Sequence, residues 1–157
     1  MAETFTLQRS CRVTAARADV WQFVTSLDGI NHELMPLVRM TTPRGFQDQT
    51  VADVRPGQTI GRSWLLLGGI LPLESSKISI AELDDGERFL ERSTMLVFST
   101  WQHERSLDTV DDTTTVVTDS IEFEPRIALP GLGRVTERVV SALFAYRHRR
   151  LTAFFSD

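Results

Sequence analysis

"TWQHERSLDTVDDTTTVVTDSIEFEP", Thr100 to Pro125, decides the fold. It contains two runs in which apolar and polar side chains alternate, joined by Val110-Asp111-Asp112-Thr113, whose residues suit a tight hairpin turn. Alternation places Trp101, His103, Arg105 and Leu107 on one face of the first strand and Gln102, Glu104 and Ser106 on the other. In the second strand Val117, Asp119, Ile121 and Phe123 share a face. Pairing around the turn sets Val110 near Thr114, so His103 falls opposite about Ile121, one diagonal step from Asp119. An acid among three apolar residues reads as inward and paired.

Outward from this hairpin, a period of two recurs upstream. It predicts strands from Leu37 to Thr41, Thr59 to Leu67, Lys77 to Leu83 and Glu87 to Phe98, with "RPGQ" and "LDDGE" as turn chemistry. Short joins between consecutive strands make an antiparallel meander. At the start, "TFTLQRSCRVTA" (Thr4 to Ala15) alternates Phe5, Leu7, Cys11 and Val13 against polar neighbours and reads as a half-buried strand. In "ARADVWQFVTSL" the residues Val20, Trp21, Phe23, Val24 and Leu27 have helical spacing. Asp28 then reads as the N-cap of a second short helix, Gly29 to Met35, stopped by Pro36. A long helical pattern closes the chain, from about Gly131 to Phe155. The order is strand, two short helices, six strands and a long helix, within one domain spanning 1–157. This predicts an α+β layer in which one strongly curved antiparallel sheet of seven strands carries a helix across it.

The hairpin, with its Trp-x-His pattern followed by Thr-Asp-x-hydrophobic, and "LFAYRHRRL" (Leu143 to Leu151) near the end of the last helix carry a resemblance. Together with the element order, they resemble the START-like, or helix-grip, superfamily of SRPBCC proteins, over nearly the whole chain. The similarity is greatest to a bacterial ligand-binding subgroup whose relatives include polyketide cyclases. It implies a sheet wrapped around the C-terminal helix with an apolar cavity between them. Arg105 stands where that subgroup often has a second histidine.

On the last helix each residue advances about 100°. Leu132, Val135, Val139, Val140, Leu143, Leu151 and Phe154 project as one stripe, and Arg134, Arg138 and Arg149 lie well away from it. Arg147 and Arg150 project within the stripe and His148 near its edge. An inward guanidinium needs a partner, because losing water unpaired costs several kcal/mol, of the order of ~3–5. Asp119 is the expected partner of Arg147 or Arg150. Such a bridge either clamps the helix to the sheet or leaves one arginine to meet a carboxylate, phosphate or phenolate.

If the face of Trp101, His103 and Arg105 lines the cavity, it offers an aromatic wall and two polar groups. Ile60, Arg62, Trp64 and Leu66 form another same-face set, and Arg92 sits between Leu90 and Thr94. Alternation alone does not choose which of these faces is inner. The ligand-contact candidates are therefore Trp64, Arg92, Trp101, His103, Arg105, Asp119, Tyr146 and Arg147, with His103 and Arg105 the catalytic candidates if a reaction occurs. The apolar run "WLLLGGILPL" (Trp64 to Leu73) reads first as core, and otherwise as a strand and bend at the cavity mouth. Phe46 and the loop from Thr42 to Gly57 read as a lid or as plain irregular structure.

The composition narrows the function. The chain has 157 residues, 41% hydrophobic and 24% charged, typical of a globular domain. Its net charge of -4 argues mildly against nucleic acid or an anionic membrane as the main partner. Cys11 is the only cysteine and reads as a small core residue, so no internal disulfide forms. His32, His103 and His148 lack metal-ligand spacing, and no nucleophile elbow, phosphate loop or dinucleotide fingerprint occurs; no metal or cofactor is expected. "MAETFTLQRS" lacks the pattern of a signal peptide, and "WLLLGGILPL" is too short to span a bilayer, so a soluble cytoplasmic protein, monomer or homodimer, is expected. The expected function is binding of a small hydrophobic or amphipathic molecule such as a lipid or polyketide. The alternatives are a polyketide cyclase or aromatase-type enzyme using His103, Arg105, Arg92 and Tyr146, and a protein-interaction module with a collapsed cavity.

Overall fold

The computed structural model describes residues 3–156. Seven antiparallel strands form one sheet: β1 (Phe5–Val13), β2 (Val38–Met40), β3 (Thr59–Leu67), β4 (Leu71–Asp84), β5 (Arg88–Met95), β6 (Phe98–Asp111) and β7 (Thr114–Pro125). Their order across the sheet is β1-β7-β6-β5-β4-β3-β2. The six later strands thus run as a meander, and β1 closes on the far side of β7. Two short helices, α1 (Arg17–Val24) and α2 (Leu27–Leu34), follow β1, and α3 (Leu132–Phe154) crosses the concave face. This is the α+β helix-grip arrangement.

The β6–β7 hairpin keeps the expected register, with His103 opposite Ile121 and Arg105 opposite Asp119. Its inner face is buried along its length: Arg105, Val117, Asp119 and Phe123 are wholly inaccessible. Two boundaries differ from the sequence expectation. Ser26, not Asp28, caps α2, its side chain accepting from the Gly29 amide. β4 begins at Leu71 rather than Lys77, because "WLLLGGILPL" is the β3–β4 hairpin, with Gly68 and Gly69 both at positive φ in its turn. The run is therefore not core: Trp64, Leu67, Ile70, Leu71 and Leu73 are exposed.

On α3 the buried line is Val140, Phe144, His148 and Leu151, spaced at four, four and three residues. The stripe read from the sequence was rotated by about one position. Val135 and Val139, assigned to it, are 57% and 62% exposed, while Phe144, left out of it, is buried. The reason is geometric: in the first turns of α3 the side carrying Val135 and Val139 borders the hollow instead of packing on the sheet. Gly133 lets the helix approach β1, since a Cβ there would lie 2.3 Å from the Phe5 ring. Phe46, Val51 and Val54, in the segment before β3, pack into the main core cluster with Val20, Trp21 and Leu151.

Candidate functional site

A hollow of about 380 Å³ lies between the sheet, α3 and the segment around Phe46. Its lining is overwhelmingly apolar, with Ile78, Ile80, Phe89 and Met95 from the sheet and Val135, Val139, Val140 and Phe144 from the helix among its walls. A few polar groups converge on it: Thr25, Glu74, Ser76, Glu91, His103, Thr136 and Arg147. That volume and balance suit a small organic ligand. Glu74 is already engaged, accepting from the amides of Ser75, Leu96 and Val97. The buried Ser76 hydroxyl finds no partner among the described residues, and the Ser93 hydroxyl on neighbouring β5 is likewise.

Behind this wall lies a buried ionic network. Arg105 reaches Asp119 side-on, Nε to Oδ1 at 2.7 Å and Nη2 to Oδ2 at 2.7 Å. Its other edge donates to Glu33, Nη1 to Oε2 at 2.8 Å and Nη2 to Oε1 at 2.9 Å. Arg147 adds Nε to Glu33 Oε1 at 3.3 Å. His103 and His148 each place Nε2 at 2.6 Å from an Asp119 oxygen. An ionised carboxylate only accepts, so both rings donate through Nε2–H. Burial alone would push the Asp119 carboxyl up, but the Arg105 charge and then His103 hold it well below the usual range. Glu33 is also lowered, its desolvation outweighed by Arg105 and Arg147. Arg105 is held well above its ordinary value against its own desolvation by Asp119 and Glu33.

The sign of the acid response follows. Between the depressed folded value and the unfolded value of about 3.9, the unfolded chain binds a proton at Asp119 that the folded chain does not. Stability from this carboxylate is thus fully present above the unfolded value and lost as pH falls toward the folded one; Glu33 acts in the same direction. Urea midpoints taken between about pH 7 and about pH 3 should hold steady and then drop below about pH 4, with a shallower drop in Asp119→Asn. Equal acid slopes in the two proteins would contradict this account.

The sequence candidates separate into three groups. Trp101, His103 and Arg147 line the hollow. Arg105 and Asp119 are wholly buried in the network behind it, with Arg105 committed to two carboxylates. Trp64, Arg92 and Tyr146 are outside: Trp64 is 42% exposed, Arg92 donates to Gln102 on the outer face, and the Tyr146 hydroxyl donates to the Met35 carbonyl. The expected partner of Asp119 is corrected from Arg147 or Arg150 to Arg105. Arg147 pairs instead with Glu33, and Arg150 donates to the His32 carbonyl. His148, expected at the edge of the helix stripe, is 4% exposed and bound to Asp119. Glu33 escaped the sequence reading because α2 is too short to display a clear periodicity; its place beside Ile30 and Leu34 was the only signal. Cys11 packs against the core, and burial pushes its thiol up, away from nucleophilic use.

His103 and Arg147 meet on one aromatic ring. The His103 ring stands edge-on to Phe144 at 5.1 Å, and the Arg147 guanidinium carbon lies 4.9 Å from the same centroid. A family model, "Domain of unknown function (DUF8410)", matches residues 11–155. The chain belongs to the DUF8410 family. Among curated proteins none matches this DUF8410 chain. Solved structures similar to it include a START superfamily protein from Mycobacterium smegmatis, 10% identical, with 96% of each chain covered and a TM-score of 0.70. An aromatase/cyclase, Zhui, from a Streptomyces species is 15% identical over 96% of this chain and 93% of that one, with a TM-score of 0.71. A protein from Chromobacterium violaceum is 13% identical over 97% and 98%, with a TM-score of 0.72. These likenesses establish a START-like fold for the DUF8410 chain.

Proposed function

We propose that this protein binds a small amphipathic molecule, its apolar body in the hollow and an acidic or hydrogen-bonding end toward His103 and Arg147. The observation that carries this reading is the lining: apolar walls around about 380 Å³, with an arginine bound to Glu33 only through Nε. The terminal nitrogens of Arg147 make no hydrogen bond to a described residue and suit a carboxylate or enolate oxygen. The START-like neighbours support a ligand-binding role for such a cavity. The test is native mass spectrometry of freshly purified protein, followed by thermal shift with dodecanoic acid and dodecanol. Both should raise Tm by mass action. Arg147→Met should weaken the acid about tenfold and leave the alcohol unchanged, since one charge-assisted contact is lost. If neither compound moves Tm and no small molecule travels with the protein, the reading fails.

A second reading, proton transfer of the aromatase/cyclase type, is favoured by one arrangement. Asp119 accepts from His103 Nε2–H, so the neutral form of this ring, which lines the hollow, would carry its lone pair on Nδ1. This is the tautomer a general base requires. His103→Gln should then abolish turnover of a polyketone substrate while dodecanol still binds. Turnover that survives in His103→Gln would exclude this ring as the base, and a parent protein that turns over no polyketone would leave ligand binding as the sole role.

A further inference from the structure

The end of the sheet at which the hollow opens is where the β3–β4 hairpin, the β5–β6 turn and the start of α3 meet. Apart from Val110 and Phe154, every large apolar side chain left exposed among the described residues lies at this end. Ile70, at the hairpin tip, is 80% exposed, with Leu71 at 62% beside it. Leu73, Val97, Val135 and Val139 are at once exposed and part of the cavity lining. The patch and the mouth are therefore one continuous surface. So much clustered apolar area is unusual on a freely dissolved surface.

The charge at this end differs from that of the whole chain. Segments 35–41, 62–73, 94–101 and 125–136 contain no aspartate or glutamate, but they carry Arg39, Arg62, Arg126 and Arg134. All four arginines are exposed. Glu74, which adjoins the second segment, is 5% exposed and held by three backbone amides. On α3, Glu137 lies between Arg134 and Arg138 and is half-buried. Glu3 is exposed ahead of β1 and Glu124 is half-buried against the Ser99 hydroxyl, so exposed arginines outnumber exposed acids around the apolar mouth.

We infer that this end of the molecule docks on the surface of an anionic lipid bilayer, with the tip 67–71 seated among the headgroups. The two features act together: apolar tips partition into the interface, and each nearby arginine adds attraction to anionic lipid. A second copy of this chain is disfavoured, because face-to-face packing would oppose like-charged arginines. A projecting hairpin also enters a fluid headgroup layer without the matching groove that a folded partner must supply.

Flotation tests this with vesicles of phosphatidylcholine alone and of equal parts phosphatidylcholine and phosphatidylglycerol. The protein should float with the mixed vesicles, stay behind with the neutral ones, and be released by added salt. The double variant Ile70→Asp, Leu71→Asp should bind the mixed vesicles at least about tenfold less. Its melting temperature and response to dodecanoic acid should match the parent, because neither residue lines the hollow. That comparison separates this inference from the ligand reading. The inference is overturned if the parent ignores both vesicle types, if the double variant floats as well as the parent, or if light scattering shows the patch consumed in a soluble dimer. Capture by an acidic soluble protein without vesicle binding would overturn it equally.

Discussion

Arg105→Met should lower the unfolding free energy by about 3–5 kcal/mol, a fall in Tm of roughly 6–20 °C for a chain of this size. The variant keeps much of the side-chain volume and removes the charge. Glu33 and Asp119 are both fully inaccessible and take four donated hydrogen bonds from this one guanidinium. Without it, Asp119 keeps only its two histidine donors and Glu33 only the 3.3 Å contact from Arg147. The penalty is chiefly that of leaving buried carboxylates under-compensated, not the loss of a favourable bond between surface charges. Arg105→Lys should recover little, since an ammonium cannot serve two carboxylates in a planar fork. Combining Arg105→Met with Glu33→Leu and Asp119→Leu should restore only part of the loss, because the orphaned carboxylates are gone but His103, His148 and Arg147 lose their acceptors. Urea unfolding provides the measurement. A loss below about 1 kcal/mol in the single variant would mean that water reaches the network and that its burial is misjudged.

Filling the hollow should have the largest effect on binding. Ser76 lies on its sheet wall with a hydroxyl that finds no partner. Ser76→Phe would project a ring into free volume and remove an unsatisfied polar atom, so stability should hold or rise slightly. Excluding the apolar body of the ligand should weaken dodecanol and dodecanoic acid together by at least about 100-fold, nearly 3 kcal/mol. This pattern differs from that of Arg147→Met, which affects only the acid. Calorimetric titration distinguishes the two. A Ser76→Phe protein that binds both compounds like the parent would place their site elsewhere.

Much of this architecture was legible along the chain because sheets and helices impose short periods. The β6–β7 alternation located the buried face and even the diagonal relation of His103 to Asp119, since a turn fixes the register of a hairpin. The same logic failed for Arg92 and Trp64, because period two identifies a face without saying which is inner. It failed again for "WLLLGGILPL", where hydrophobicity was read as burial although the run forms an exposed tip. Whole-chain charge is blind to arrangement for a related reason: a sum over residues discards their positions, whereas the exposed arginines near the mouth are grouped in space.

By itself, then, the sequence determined the order of elements, the inward face of the central hairpin and the presence of a cationic side chain aimed at the interior from the last helix. Tertiary structure alone decided the pairing. Glu33, Arg105, Asp119 and His148 come from α2, β6, β7 and α3, with 72 residues separating Glu33 from Arg105 and 114 separating it from Arg147. No local period connects such groups. Their match is chosen by which helix turn settles against which strand, and in a dry interior every charge must then find the partner that this docking brings within reach.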